Sequence, residues 1–350
     1  MEGKQEYYKA VRKKWMFILI CVLLIVVALV FSLSIGMYDL DFFDCYRILI
    51  EHITGNITDP YADDIVVFTR LPIGVFAIIV GAVLAMGGAV MQSILRNPLA
   101  DPYTMGVSSG ALLGASIAIV LGNGIMPFFN DSWVKIIMAF GFSLIPVAVI
   151  LMFSIKRRVT ATKIILIGIA MMYIFSAIVQ LLMITASEET LAEIYSWRVG
   201  TLALTTWDTI PIPLGISLVC GIILLYHHRR INVMMAGSRS AHSMGVDPDR
   251  TILVEITLVS LMTAATVCFT GTIGFVGLVG PHVARLFVGS ESKLLLPASA
   301  AFGGLFLLLA NCIARVSGEY GLPVGVISAI IGCPLFIFIL IKMRRKSAWN

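Results

Sequence analysis

The chain has 350 residues, 59% hydrophobic and 13% charged, with 25 Lys and Arg against 20 Asp and Glu for a formal net charge of +5. A soluble domain carries about 25% charged residues, so this composition excludes a soluble enzyme, a disordered chain and a nucleic-acid-binding domain. What remains is an all-α polytopic membrane protein, and at ~20 residues per span the length allows roughly ten transmembrane helices.

In chain order, residues 1–14 carry Lys4, Lys9, Arg12, Lys13 and Lys14 and lead into a charge-free apolar run over 15–35. That run is longer than the apolar core of a secretory signal and has no small-residue cleavage site, so it reads as a first span that is retained. Residues 37–70 are acidic, with Asp39, Asp41, Asp44, Glu51, Asp59, Asp63 and Asp64 against Arg47 and Arg70. Further apolar runs cover 71–94, 103–121, 133–155, 164–186, 208–226, 251–270, 278–290, 295–314 and 323–341, making ten with the first. The run at 278–290 is short and holds His282 and Arg285, which suits a half-helix buried in protein. Basic residues decide orientation. Besides the N-terminal group, Lys156, Arg157, Arg158 and Lys163 fill 156–163, and Arg229, Arg230, Arg239 and Arg250 fall within 227–250. Lys342, Arg344, Arg345 and Lys346 close the chain over 342–350. If ten helices alternate, all four clusters share one face, which is cytoplasmic and holds both termini. The chain then reads as a single membrane domain over 1–350.

Two segments repeat. Leu71-Pro72-Ile73-Gly74-Val75 returns as Leu322-Pro323-Val324-Gly325-Val326, and each is read as opening a helix with proline in the first turn. The chain is also interrupted by Gly and Pro at 92–102 and at 271–282. Breaks in corresponding positions on opposite faces are the pattern of an inverted internal repeat, and such backbone lines or braces a pathway.

Ionisable groups at depth are scarce. Glu255 is placed about one turn inside its span as a helix-start carboxylate, and Asp208 opens its span in the same way. His282 and Arg285 stand at i and i+3 without an accompanying Cys or acid, so neither a metal site nor a cofactor is expected. No G-x-x-x-x-G-K-[ST] occurs, and no nucleophile–base pair is visible, so the chain is read as no enzyme, with ATP hydrolysis left to a partner. The six cysteines lack C-x-x-C spacing and read as small core side chains.

Within 227–250, residues 236–248 read as a short capped helix with Ser238 as N-cap, Gly245 past its end and Pro248 as a stop. Ala241, Met244 and Val246 would give it an apolar ridge suited to a groove on another protein.

Several ordered motifs carry a resemblance. Arg70-Leu71-Pro72, Gly81-Ala82, Gln92, the run 97–102 (Asn-Pro-Leu-Ala-Asp-Pro) and the run 106–111 (Gly-Val-Ser-Ser-Gly-Ala) resemble the FecCD-type permeases of bacterial ABC importers. So do residues 271–282 and Leu322-Pro323-Val324-Gly325. The resemblance covers about 15–342. It implies a multi-pass permease of the bacterial cell membrane that carries an iron–siderophore complex, haem or vitamin B12. It implies a homo- or heterodimer of permeases, two ATPase subunits on the cytoplasmic face and a substrate-binding protein outside. By the same resemblance, the segment Ser238, Arg239, Ser240, Ala241, His242, Ser243, Met244, Gly245 and Val246 is the helix that couples to the ATPase. Asn97, Leu99, Ala161 and Thr162 correspond to the cytoplasmic gate. Arg70 and Arg315 correspond to outer-rim positions that pair with acids of the binding protein, and Arg47 is a weaker match there. The competing reading is an ion-gradient-driven secondary transporter, which usually needs a midplane carboxylate, and this chain has almost none there.

Overall fold

The computed structural model describes residues 2–36, 38, 40–124, 126–156, 160–318 and 321–344, with side chains described over 11–36, 38, 40–124, 126–154, 160–318 and 321–342. Of the charges named above, Asp39, Arg157, Arg158, Arg345 and Lys346 lie outside the described residues, as do the side chains of Lys4, Lys9, Lys156 and Arg344.

No strand occurs among the described residues. Helix α1 (Glu2–Ser34) is followed by α2 (Phe42–Thr54), α3 (Pro60–Asp63), a π segment (Asp64–Arg70) and α4 (Leu71–Leu95). A 3-10 turn (Pro102–Met105) leads into α5 (Val107–Gly124), and another (Pro127–Asn130) into α6 (Ser132–Lys156). Next come α7 (Ala161–Ile184), α8 (Glu188–Val199), α9 (Pro211–Tyr226), α10 (His228–Met235), α11 (Ser238–Ser243) and α12 (Pro248–Thr270). The last three are α13 (Val276–Val288), α14 (Ser292–Val316) and α15 (Val324–Arg344). Among the described residues nine stretches are long and apolar enough to cross a membrane, and α13 adds a shorter apolar helix, giving the ten segments predicted.

Three boundaries differ from the sequence reading. Helix α1 begins thirteen residues before the apolar run, because the basic segment is rich in Lys, Glu, Gln and Ala, all good helix formers. The span expected at 103–121 starts only at Val107, since Asp101 caps a separate 3-10 turn that Gly106 ends at φ +83. Pro72 stands in the first turn of α4, as read, but that helix continues the π segment without a break. The two lie inside one helical stretch, Pro60–Leu95. The Leu71 N–H bonds Val66 O, five residues back, and this widened turn accommodates a proline ring and its missing donor. Pro323, by contrast, stands just before α15.

The chain divides into two compact units, one of Met1–Met86, Leu202–Pro211 and Gly274–Asn350, the other of Gly87–Thr201 and Ile212–Ile273. In the first, α14 packs against α1, α13 and α15. Gly81 of α4 abuts the Gly303 backbone of α14 so closely that a Cβ on either would overlap the other's carbonyl oxygen. Small residues let membrane helices approach this way. Leu33, Cys45, Ile48, Ala62, Val66 and Val67 form a core where α1, α2 and the π segment meet.

In the second unit, Gly110 and Gly114 of α5 press on the backbone of Phe142 and Met138 of α6. Helix α12 closes over both through Val267 and Cys268, which pack with Ala111, Ala115 and Ala139. Helix α8, capped by Ser187 accepting from Thr190 N–H, buries Ile194 against Leu112, Leu113 and Phe175.

Candidate coupling and gating site

The connection from α9 to α12 lies in the second unit and is built almost entirely of caps. Helix α9 ends at Tyr226, and α10 starts after His227 and buries Ile231 and Met234. Gly237 then stands before α11 at φ +100, a conformation that favours glycine. A Cβ there would come within 3.1 Å of the Arg96 guanidinium. Glycine, not Ser238, is therefore the N-cap, and Ser238 is the first helical residue; the cap accepts no side-chain bond.

The other end of α11 matches the sequence reading. Gly245 N–H donates to His242 O at 3.0 Å, and Val246 N–H donates to Ala241 O at 3.0 Å. This is the Schellman pairing, with Gly245 left-handed at φ +79. Ala241 is fully buried and supplies no ridge. The Val246-to-Ala241 bond turns that position inward, leaving Met244 as the exposed apolar side chain. Asp247 then caps α12, accepting from Asp249 N–H at 3.0 Å and Arg250 N–H at 3.2 Å, with Pro248 in the first turn.

A cleft of about 640 Å³ runs beside α11. It brings Ala161 and Thr162 together with Ser238, Arg239, His242 and Ser243, and adds Arg96 and Thr160. Thr160 caps α7, its hydroxyl accepting from Lys163 N–H at 3.4 Å. Two of the four gate residues thus share one surface with the coupling helix. Asn97 and Leu99 do not line it. Asn97 instead forms a local turn, its Oδ1 accepting from Leu99 N–H at 3.0 Å, and the Leu99 side chain is exposed. The turn begins at Arg96, left-handed at φ +49.

The same break holds a buried acid. Asp101 Oδ1 accepts from Tyr103 N–H at 2.7 Å, and burial raises its pKa to about 6. Tyr103 Oη in turn accepts from Ile273 N–H at 3.2 Å.

A second cavity, about 460 Å³, lies at the root of the connection and is lined by His227, Arg230, Gly245, Asp247, Arg250 and Glu255 among others. His227 Nδ1 lies 2.8 Å from Glu255 Oε1, within hydrogen-bond distance, tying the α9–α10 elbow to α12. Burial, then the charge of Arg230, lowers the His227 pKa, so the imidazole is kept neutral. Glu255 sits two turns inside α12, one turn deeper than the helix-start position read from the sequence, and is almost wholly buried. The sequence gives no sign of this pairing because His227 lies 28 residues away, across the whole connection.

In the first unit, Arg70 is buried. Its guanidinium donates to Leu33 O at 2.5 Å and to Tyr38 O. Arg315 is half-buried and donates to Ser32 O at 3.2 Å. Arg47 is exposed on α2, between Asp44 at 3.3 Å and Glu51 at 3.4 Å.

The FecCD transport family profile matches residues 23–342. The chain belongs to the FecCD transport family. Among its FecCD relatives, a cobalamin import system permease of Halobacterium salinarum is 39% identical over 272 residues, covering 77% of this chain and 72% of that one. A molybdate import system permease of Haemophilus influenzae is 33% identical over 324 residues, covering 92% and 94%. A solved structure described as an inward-facing metal-chelate type ABC transporter superposes with a TM-score of 0.81 at 31% identity, covering 93% of this chain and 98% of that one. This FecCD chain is accordingly a multi-pass membrane permease of the ABC importer class, with a transport role.

Proposed function

We propose that this chain is the permease subunit of an importer that carries a metal chelate, such as a ferric siderophore or haem, or cobalamin, and that residues 238–246 take up the stroke of a separate ATPase. The observation that carries this reading is the cleft that unites Ala161 and Thr162 with α11. Ala161 and Thr162 at the start of α7 face the same cleft as Ser238, Arg239, His242 and Ser243, so a displacement of α11 reshapes the space beside α7. Thr160 and Lys163 fix the first turn of α7, so movement there is movement of the whole 24-residue helix. Asn97 and Leu99, on the turn that Arg96 begins, complete the gate.

In this reading the whole chain acts as one permease domain and is itself no enzyme. Two ATPase subunits sit on the face that holds 156–163, 227–250 and both termini, which is cytoplasmic. A second permease copy, identical or related, completes the pathway. A substrate-binding protein docks outside, where Arg47, exposed, offers its charge directly and Arg70 and Arg315 are held by backbone carbonyls. Rim charges of this kind steer docking more than they add affinity.

The test is Gly245→Val in the assembled transporter. A β-branched residue at φ +79 costs about 1–2 kcal/mol, enough to depopulate the Schellman turn roughly tenfold. Transport is expected to fall by that order while ATP hydrolysis continues. Equal transport by mutant and wild type would refute the coupling role.

A further inference from the structure

Helix α2 divides into three faces. At 100° per residue, Cys45, Ile48, Leu49 and His52 fall on one face. This face joins the core with Leu33, Ala62, Val66 and Val67, and His52 Nδ1 bonds Asp63 Oδ1 at 3.0 Å. Asp44, Arg47, Glu51 and Thr54 form a second face, stitched by the Arg47 ion pairs. Glu51 there also accepts from Thr58 N–H at 3.2 Å. The third face is apolar yet uncovered. Phe43 is 76% exposed, Ile50 61% and Ile53 83%, with Tyr46 beside them.

We infer that this third face lies in the membrane–water interface, with lipid as its occupant, so that α2 floats at the bilayer surface. Two observations select lipid. The apolar face continues the outward face of α1, where Leu19, Leu23 and Phe31 are exposed. Phe31 meets Phe42 with ring centroids 4.8 Å apart, and Phe42 meets Tyr46 at 4.9 Å. A span of this composition faces acyl chains on its unpacked side, and the aromatic seam carries that surface onto α2 without a polar gap. The arrangement of the faces is the second. A polar arc flanking an apolar one is the pattern of a helix lying in the plane of the interface, its charges in the headgroup and water layer. A protein partner drawn by charge would meet the Arg47 face, which points elsewhere on the helix.

The consequence is mechanical. The end of α1, the π segment and Arg70 share a core with α2, so α2 holds that end of the first unit at a fixed depth in the bilayer.

The experiment uses the assembled transporter in nanodiscs with nitroxide labels at Phe43→Cys, Ile50→Cys and Ile53→Cys, and at Arg47→Cys as the polar control. Five of the six native cysteines are buried and the sixth half-buried, and the unmutated protein gives the background. The ratio of oxygen to nickel-chelate accessibility is expected to be several-fold higher at the three apolar positions than at the control. Nickel accessibility equal to the control would place the face in water. Loss of access to both reagents would place it under a second permease copy or the binding protein. Either result overturns the inference. Should the variants fail to assemble, the unmodified transporter in nanodiscs doped with a diazirine lipid tests the same contact: photo-adducts on residues 42–54 support lipid contact, and their absence while α1 is labelled rejects it.

Discussion

At the scale of single residues, the buried pair at the root of the connection makes a stability prediction. Removing one partner of a buried hydrogen bond strands the other at about 1–3 kcal/mol, so Glu255→Ala is expected to lower the thermal midpoint of the detergent-solubilised protein. An unchanged midpoint would mean that water replaces the carboxylate freely. The pH dependence has a definite sign. The His227 pKa is depressed from its ordinary 6.5, so its contribution to stability is full above that value and is lost as pH falls through the depressed one. His227→Gln is expected to unfold with a weaker pH dependence below about pH 6.5 than the wild type. Asp101 runs the opposite way. Its pKa is raised from 3.8 to about 6, so its contribution is full below the lower value and lost as pH rises through the higher. Asp101→Asn keeps an acceptor for Tyr103 N–H, and its stability relative to wild type is expected to grow between about pH 4 and about pH 7. A constant difference across that range would count against the buried carboxylate.

At the scale of elements, packing of α5 on α6 depends on two glycines. Gly114→Val pushes a branched side chain into the Met138 carbonyl, and overpacking of this kind costs about 1–3 kcal/mol or more. Gly215→Ala on α9 meets nothing within 4 Å and is expected to be neutral or slightly stabilising. Similar thermal shifts for the two would show that the α5–α6 approach yields easily. The long spans are legible in the sequence because bilayer thickness demands about 20 apolar residues whatever the neighbours. Gly245 is legible for a local reason, since a left-handed residue after a helix end favours glycine in any context. The short helices α2, α8 and α10 are not legible, because each is half polar and owes its existence to what it packs on. The cap at Gly237 escapes a sequence reading because serine is the commoner N-cap, and only the nearby Arg96 guanidinium shows how little room a side chain has there. The environment of Arg70 is likewise tertiary: its acceptors, Leu33 and Tyr38, lie more than thirty residues earlier.

At the scale of the whole molecule, the central claim is that a separate ATPase drives this permease through residues 238–246. The shared cleft of α11 and α7 supports that proposal. His242 lines that cleft and is exposed at its edge, which makes it a reporter position. A photo-reactive amino acid placed at 242 in living cells, followed by mass spectrometry of the adducts, asks the question directly. The expected result is a cross-link to a protein bearing a G-x-x-x-x-G-K-[ST] segment, formed in cells that exclude a membrane-impermeant reagent from the same position. Labelling of position 242 from outside the cell, or adducts without any such ATPase, would contradict the account.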